Sequence, residues 1–189
     1  MKLALALFAC TVIALPASAA GFYVSAYGGT NWDDVLASPI VETNTGSVMG
    51  LTVGTSVNAV PGLRLELDAA FRQNEVDIFG GAITADHDTT TLLVNAVYDI
   101  PLGLKVRPYV LAGVGYGHTQ ATFEDISLLR LEASGLAWQL GTGLNVTVAD
   151  GVQLGVGYRY LQAPPIEVFG TELSDGTNHS VIAQVTFEF

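Results

Sequence analysis

Three histidines are the first residues to weigh for chemistry: His87 in "ADHDTTT", His118 in "GYGHTQ" and His179 in "NHS". A serine–histidine couple needs a hydroxyl within hydrogen-bond reach of the imidazole and a third group to orient the ring. Ser180 follows His179, but adjacent residues of a strand point to opposite faces, so this pair cannot meet. Asp86, His87 and Asp88 form a short acidic group, yet one loop does not supply the roughly six to eight oxygens of a calcium site. All three histidines read as rim residues without a catalytic role, and no catalytic, metal or cofactor site is assigned. The other chemistry-bearing set is a row of charges at alternate positions: Arg64, Glu66, Asp68, Arg72, Asp99, Arg107, Arg159 and Glu188. Their meaning depends on the elements that carry them.

Half of the 189 residues are apolar and only 13% are charged, with 21 glycines. The mean hydropathy is +0.43, high for a domain bathed in water. The opening stretch "MKLALALFACTVIALPASAA" has Lys2, an apolar run to Leu15, Pro16, and the small residues Ala17, Ser18 and Ala19. It reads as a secretory signal peptide over 1–19, leaving one domain over 20–189. The only cysteine, Cys10, falls inside it, so no disulfide or thiolate metal site is expected in the mature chain. The net charge of −11 argues against nucleic acid as a partner.

Beyond that segment the pattern has period two. In "LRLELDAAFR", Leu63, Leu65, Leu67, Ala69 and Phe71 alternate with Arg64, Glu66, Asp68 and Arg72. Similar alternation marks "TGSVMGLTVGTSVN", "TTTLLVNAVYDI", "VRPYVLAGVGYGH", "SGLAWQLGTGLNVTV", "VQLGVGYRY" and "NHSVIAQVTFEF". The weaker "GFYVSAYGGTNW" brings the total to eight strands. Connections near 58–62, 100–105 and 149–151 are tight, whereas those near 31–46, 74–88, 119–133 and 163–177 are long. The expected fold is all-β: an eight-stranded antiparallel up-and-down transmembrane β-barrel.

From the second strand onward the apolar row carries no charge, while the eight charges above share the opposite row. An eight-stranded barrel has room inside for little more than its own side chains, so bulky rows of Leu, Val, Tyr and Trp belong outside, against lipid. The inverse arrangement would place Arg64 or Arg72 in hydrocarbon at about 2–4 kcal/mol each. The inner row then holds a network of both signs, and its glycines, Gly113, Gly115, Gly117, Gly141, Gly143, Gly155 and Gly157, leave space for Arg64, Glu66 and Arg72. The competing reading of that space is a narrow water-filled path. Phe71, Tyr116, Trp138, Tyr158 and Tyr160 fall at the long-loop end, and Tyr98, Phe187 and Phe189 at the short-turn end, as two aromatic girdles.

The stretches "LRLELDAAFR", "RPYVLAGVGYG", "LAWQLGTGLNVTVADGVQLGVGYRY" and the final phenylalanine resemble the small eight-stranded outer-membrane barrels grouped with OmpA, OmpX and the opacity proteins, including alphaproteobacterial surface antigens. The resemblance implies export through the periplasm to the Gram-negative outer membrane. It also implies that Val185, Phe187 and Phe189 act as the C-terminal signal read by the barrel-assembly machinery. Thirteen of the 18 acids lie in the four long connections against one cation, Arg130. Such a rim is expected to gather divalent cations beside the phosphates of lipopolysaccharide. The expected function is a non-enzymatic outer-membrane barrel that supports the envelope and presents acidic loops. A narrow porin-like channel is the alternative, and a lipid A-modifying enzyme the third reading.

Overall fold

The computed structural model describes residues 21–33, 41–43, 45–78, 83–103, 105–123, 129–168, 171–174 and 176–189; the expected signal segment 1–19 lies outside them. Every element among the described residues is a strand: β1 (Phe22–Asp33), β2 (Val41–Thr43), β3 (Gly46–Ser56), β4 (Leu63–Ile78), β5 (Ile83–Asp99), β6 (Val106–Phe123), β7 (Leu129–Ala149), β8 (Val152–Gln162), β9 (Ile166–Val168), β10 (Thr171–Ser174) and β11 (Thr177–Glu188). β1, β3, β4, β5, β6, β7, β8 and β11 form a closed antiparallel ring. β2 lengthens the sheet beside the far end of β4, and β9 and β10 pair only with each other.

Closure is made by β1 and β11, in register from Tyr23 opposite Glu188 to Asp33 opposite Asn178. The Phe189 amide then donates to the Phe22 carbonyl at 2.9 Å. An open edge in lipid would leave a row of backbone groups unpaired, and closing the ring removes it. Two of the tight turns rest on glycine in the left-handed region, Gly62 at φ +85° before β4 and Gly151 at φ +71° before β8.

The faces follow the alternation. Leu65, Leu67, Val94, Val114, Leu140 and Val156 stand exposed on the outer wall, while Glu66, Asp68, Asn95, Gln139 and Arg159 are buried inside. The outer row turns polar at Gln73, Thr90, His118 and Ser134, which sets the upper edge of the apolar band. The lumen is not uniformly ionic. Tyr27, Val48, Ala70 and Ile182 form one buried apolar cluster; Leu93, Ala137, Leu161 and Ala163 form a second; Val97, Tyr109 and Leu111 form a third.

Two of the four expected long loops are largely strand. β4 and β5 stay paired from Gln73 opposite Asp88 up to Ile78 opposite Ile83. β6 and β7 continue likewise from His118 opposite Ser134 to Phe123 opposite Leu129. Above the apolar band both faces meet water, so the hydropathy contrast that marks a strand in sequence disappears while the ladder continues.

Candidate functional site

The lumen is the first candidate, built by inward residues of β1, β3, β4, β5 and β8. Asp68 of β4, fully buried, accepts hydrogen bonds from Tyr27 Oη at 3.1 Å, Thr52 Oγ1 at 2.9 Å and Arg159 Nη1 at 3.0 Å. The Arg159 guanidinium also lies over the Tyr27 ring, 4.1 Å from its centroid. One layer nearer the short turns, Arg64 donates to Asp99 at 2.9 Å and to Glu66 at 3.2 Å, and Tyr23 Oη donates to Glu66 at 2.7 Å. Alternation on neighbouring strands brings these groups to common levels, because register places Glu66 opposite Gly54 and Asp68 opposite Thr52.

Three of the eight expected network charges stand apart. Arg107 and Glu188 are half exposed at the short-turn mouth and only 4.0 Å from each other. Arg107 also donates to Thr147 Oγ1, and Gln153 donates to Glu188. Arg72 is buried without an ion-pair partner among the described residues; Nη1 donates to Thr91 Oγ1 at 3.2 Å, and Nε and Nη2 have no protein acceptor.

The inner glycines make room, though chiefly for residues other than Arg64, Glu66 and Arg72. A Cβ on Gly50 would lie 2.3 Å from the Tyr27 ring, and one on Gly54 2.3 Å from the Tyr23 ring. Gly143 and Gly157 likewise border the Tyr109 hydroxyl, and Gly117 borders Pro164, which leans in from the β8–β11 connection. What remains between Arg64, Glu66, Tyr109 and Arg159 is a cavity of about 10 Å³, the room of one water.

The upper lumen is built from amides and hydroxyls. Asn31 donates to Asn74, and Thr89 pairs with Thr119. His87 sits here, correcting its reading as a solvated rim residue. It is 9% exposed and points inward from β5, with Nδ1 2.7 Å from Asp33 Oδ2. Asn178 of β11 donates to the other Asp33 oxygen at 2.6 Å, so β1, β5 and β11 meet at one carboxylate.

A serine–histidine contact does exist, across strands rather than along one. On the outer face of the β6–β7 extension, His118 Nδ1 lies 2.6 Å from Ser134 Oγ. Arg130 Nη2 donates to Gln120 Oε1 at 2.5 Å, which turns the Gln120 amide N–H toward His118 Nε2, 2.6 Å away. Nε2 therefore accepts, and Nδ1 carries the proton toward Ser134. In that tautomer the imidazole donates to the serine rather than accepting from it.

The upper girdle is uneven. Trp32 of β1 stacks on His179 at 5.7 Å and 14°, Tyr160 meets His179 edge-on at 5.3 Å, and Trp138 lies 5.4 Å from Tyr160. Tyr158 Oη contacts His179 Nδ1. Phe71 and Tyr116 lie on the outward face of the remaining wall, and Tyr98, Phe187 and Phe189 near the short turns. Trp32 was not expected in this group, because β1 carries aromatics on both of its faces.

Of the 13 acids expected in loops, nine lie on strands: Asp33, Glu42, Glu75, Asp77, Asp86, Asp88, Glu132, Glu167 and Glu172. The side chains of Glu42, Asp77, Glu167 and Glu172, and residues Asp34, Glu124, Asp125 and Asp175 entirely, lie outside what is described. Among the described residues no group of three or more His, Asp or Glu could hold a metal ion.

Residues 3–189 match the family profile described as outer membrane protein beta-barrel domain. A curated relative, the outer membrane protein PagN of Salmonella typhimurium, is 30% identical over 125 residues, covering 56% of this chain and 52% of its own. The chain thus spans about half the length of that relative. Among solved structures, Neisserial surface protein A superposes with a TM-score of 0.66 at 19% identity, over 90% of this chain and 98% of that one. Ail, the attachment invasion locus protein of Yersinia pestis, solved in complex with the heparin analogue sucrose octasulfate, gives 0.58 at 16%, over 90% and 99%. A major outer membrane protein from Thermus thermophilus gives 0.61 at 14%, over 90% and 100%. At these identities the structural likeness shows the fold alone.

Proposed function

Because the chain belongs to the outer membrane protein beta-barrel domain family and is an outer-membrane protein, we propose that it is a non-conducting, non-enzymatic barrel whose work is to hold stiff acidic hairpins above the membrane. The observation that carries this reading is the pairing of β4 with β5 and of β6 with β7 beyond the apolar band. A hydrogen-bonded ribbon holds its shape better than a loop of equal length, so Glu75, Asp86, Asp88 and Glu132 are presented in fixed rows. The barrel below serves as their footing.

The filled lumen supports the absence of conduction: ion pairs, buried apolar clusters and an inward Pro164 occupy successive levels. The polarity of the Arg130–Gln120–His118–Ser134 relay supports the absence of esterase chemistry. Divalent cations would screen the acidic hairpins diffusely against the phosphates of neighbouring lipopolysaccharide. The acidic rows argue against carrying over a sulfated polyanion of the kind named in the Ail structure. In this reading Val185, Phe187 and Phe189 also serve recognition by the barrel-assembly machinery.

Planar-bilayer recording on the refolded chain tests the proposal. The expected trace has no unitary steps, and steps of constant size would establish the channel instead. Millimolar calcium should slow proteolysis of the hairpins; unchanged cleavage would remove the cation from the account.

A further inference from the structure

Three buried polar atoms without a protein partner among the described residues lie on neighbouring side chains of the upper lumen: Asn31 Oδ1, Asn74 Nδ2 and His87 Nε2. Asn74 and His87 stand directly opposite each other on β4 and β5, both pointing inward just above the apolar band. Side chains so placed have Cβ atoms about 4.5–5.5 Å apart. Asn31 of β1 already donates from Nδ2 to Asn74 Oδ1. The three side chains thus make one polar chain from β5 across β4 to β1.

The imidazole sets the direction of that chain. A carboxylate only accepts, so His87 Nδ1 donates to Asp33 Oδ2 whatever the charge of the ring. Protonation is therefore written at Nε2 alone, which accepts in the neutral ring and donates in the charged one. With the ring neutral, Asn74 Nδ2 is the donor that Nε2 lacks, and Asn74 Oδ1 keeps its bond from Asn31. A proton on Nε2 sets two donors against each other. Half-turns of both amides remove the conflict: Asn74 Oδ1 accepts from Nε2, and Asn74 Nδ2 donates to Asn31 Oδ1. All three orphaned atoms then have partners, with only Asn31 Nδ2 released.

The charges around the ring favour the proton. Asp33 of β1 touches it, and Asn178 of β11 holds the other carboxylate oxygen. Glu75, Asp86 and Asp88 flank it on the outward faces of β4 and β5. The opposing cation on β4, Arg72, sits two residues below Asn74 and turns Nη1 down to Thr91. A layer further down, Asp68 and Arg159 balance each other. β6 offers Ala121 opposite His87 and Thr119 below it, neither of them charged.

We propose that Asn31, Asn74 and His87 are a proton-operated clasp at the root of the β4–β5 hairpin, locked when mild acid reverses the chain and turns the Asp33 contact into an ion pair. Charge-assisted hydrogen bonds are roughly twice as strong as neutral ones, so the tie among β1, β4, β5 and, through Asp33, β11 tightens as the pH falls through the imidazole range. A ring that holds its proton more firmly in the folded chain than in the unfolded one stabilises the fold below that range. The gain is lost as the pH rises through it.

Nitrogen NMR on the full chain refolded into lipid nanodiscs tests this without altering the clasp. From pH 8.5 to 5.5, His87, assigned by difference from His118→Gln and His179→Gln, should keep Nδ1 protonated throughout and take up a proton at Nε2. The side-chain amides of Asn31 and Asn74 should shift with the same midpoint. In urea unfolding, the folding constant of the unaltered chain relative to His87→Gln should rise roughly tenfold over that interval. Asn74→Leu should leave His87 titrating while the Asn31 amide stops responding, a separation that a merely structural role does not produce. An Nε2 that stays bare at pH 5.5, amides that ignore the titration, or an equal acid response in His87→Gln overturns the proposal. Should His87→Gln lack the heat-dependent gel shift of a folded barrel, the spectra of the unaltered clasp decide alone. A missing gel shift in the unaltered chain sinks the barrel reading instead, a distinguishable failure.

Discussion

The lower and upper halves of the lumen solve the same problem differently. Below, carboxylates and guanidinia are tied several times each: Asp68 accepts from three donors, and Arg64 bridges two acids. Above, amides and hydroxyls around the Asp33 carboxylate and the buried Arg72 form mostly single bonds, leaving Asn31 Oδ1, Asn74 Nδ2, His87 Nε2 and two Arg72 nitrogens without protein partners, whereas below the unpartnered atoms belong to groups already tied elsewhere, such as Arg64 Nε and Arg159 Nε. Charges deep in the barrel are costly unless paired, because an isolated ion there loses several kcal/mol of hydration; the buried Arg72, held by Thr91 alone among the described residues, is the exception. Amides risk less when underused, so the half nearer the outer mouth keeps the capacity to re-pair. The lower half acts as a staple and the upper half as packing.

The comparison breaks first at Asp68. Asp68→Ala should cost about 3–5 kcal/mol in urea unfolding from lipid vesicles, because Arg159 is left buried without its partner. Asp68→Leu combined with Arg159→Met should recover most of that loss; a double variant as unstable as the single would mean that the pair matters for something other than charge balance. Gly50→Val, which drives a side chain into the Tyr27 ring, should cost about 1–3 kcal/mol, and adding Tyr27→Ala should relieve it. Thr91→Val removes the one protein acceptor of Arg72 found among the described residues and should cost about 1–3 kcal/mol. In the upper half, Thr119→Val should stay within about 1 kcal/mol, and a larger loss would erase the contrast between the halves. The smallest effect is on the outer face: Arg130→Gln should change stability by no more than about 0.5 kcal/mol. Nitrogen NMR should nevertheless show His118 protonated at Nδ1 in the unaltered chain and losing that preference in the variant.

Much of the architecture was legible because lipid outside and polar groups inside impose opposite demands on alternate residues. Arg64, Glu66, Asp68 and Arg159 could be assigned inward from the row they share, since one step of slippage would put them in hydrocarbon. Tyr23 and Tyr27 could not. β1 carries aromatic residues on both rows, Phe22 and Trp32 outward and the two tyrosines inward, so its alternation has no contrast. The glycine positions were visible, but which neighbour fills each gap depends on register. The hairpin extensions escaped notice because Asn74 and His87 face inward while Glu75 and Asp88 face outward, and all four are polar. The His118–Ser134 contact joins positions 16 residues apart and arises only once β6 and β7 are aligned. His87 and Asp33 are farther apart still, on strands that meet only through the lumen.

The seam between β1 and β11 has a consequence for how the molecule is made. β1 leaves the ribosome before any other wall strand, yet one of its two partners, β11, is the last to arrive. Until then the growing chain is an incomplete curl whose two rims cannot both be hydrated and inserted. Such distant pairing is entropically slow to find. Completion therefore works as a late, all-or-none checkpoint: a copy halted before β11 has no stable way to stay in the bilayer.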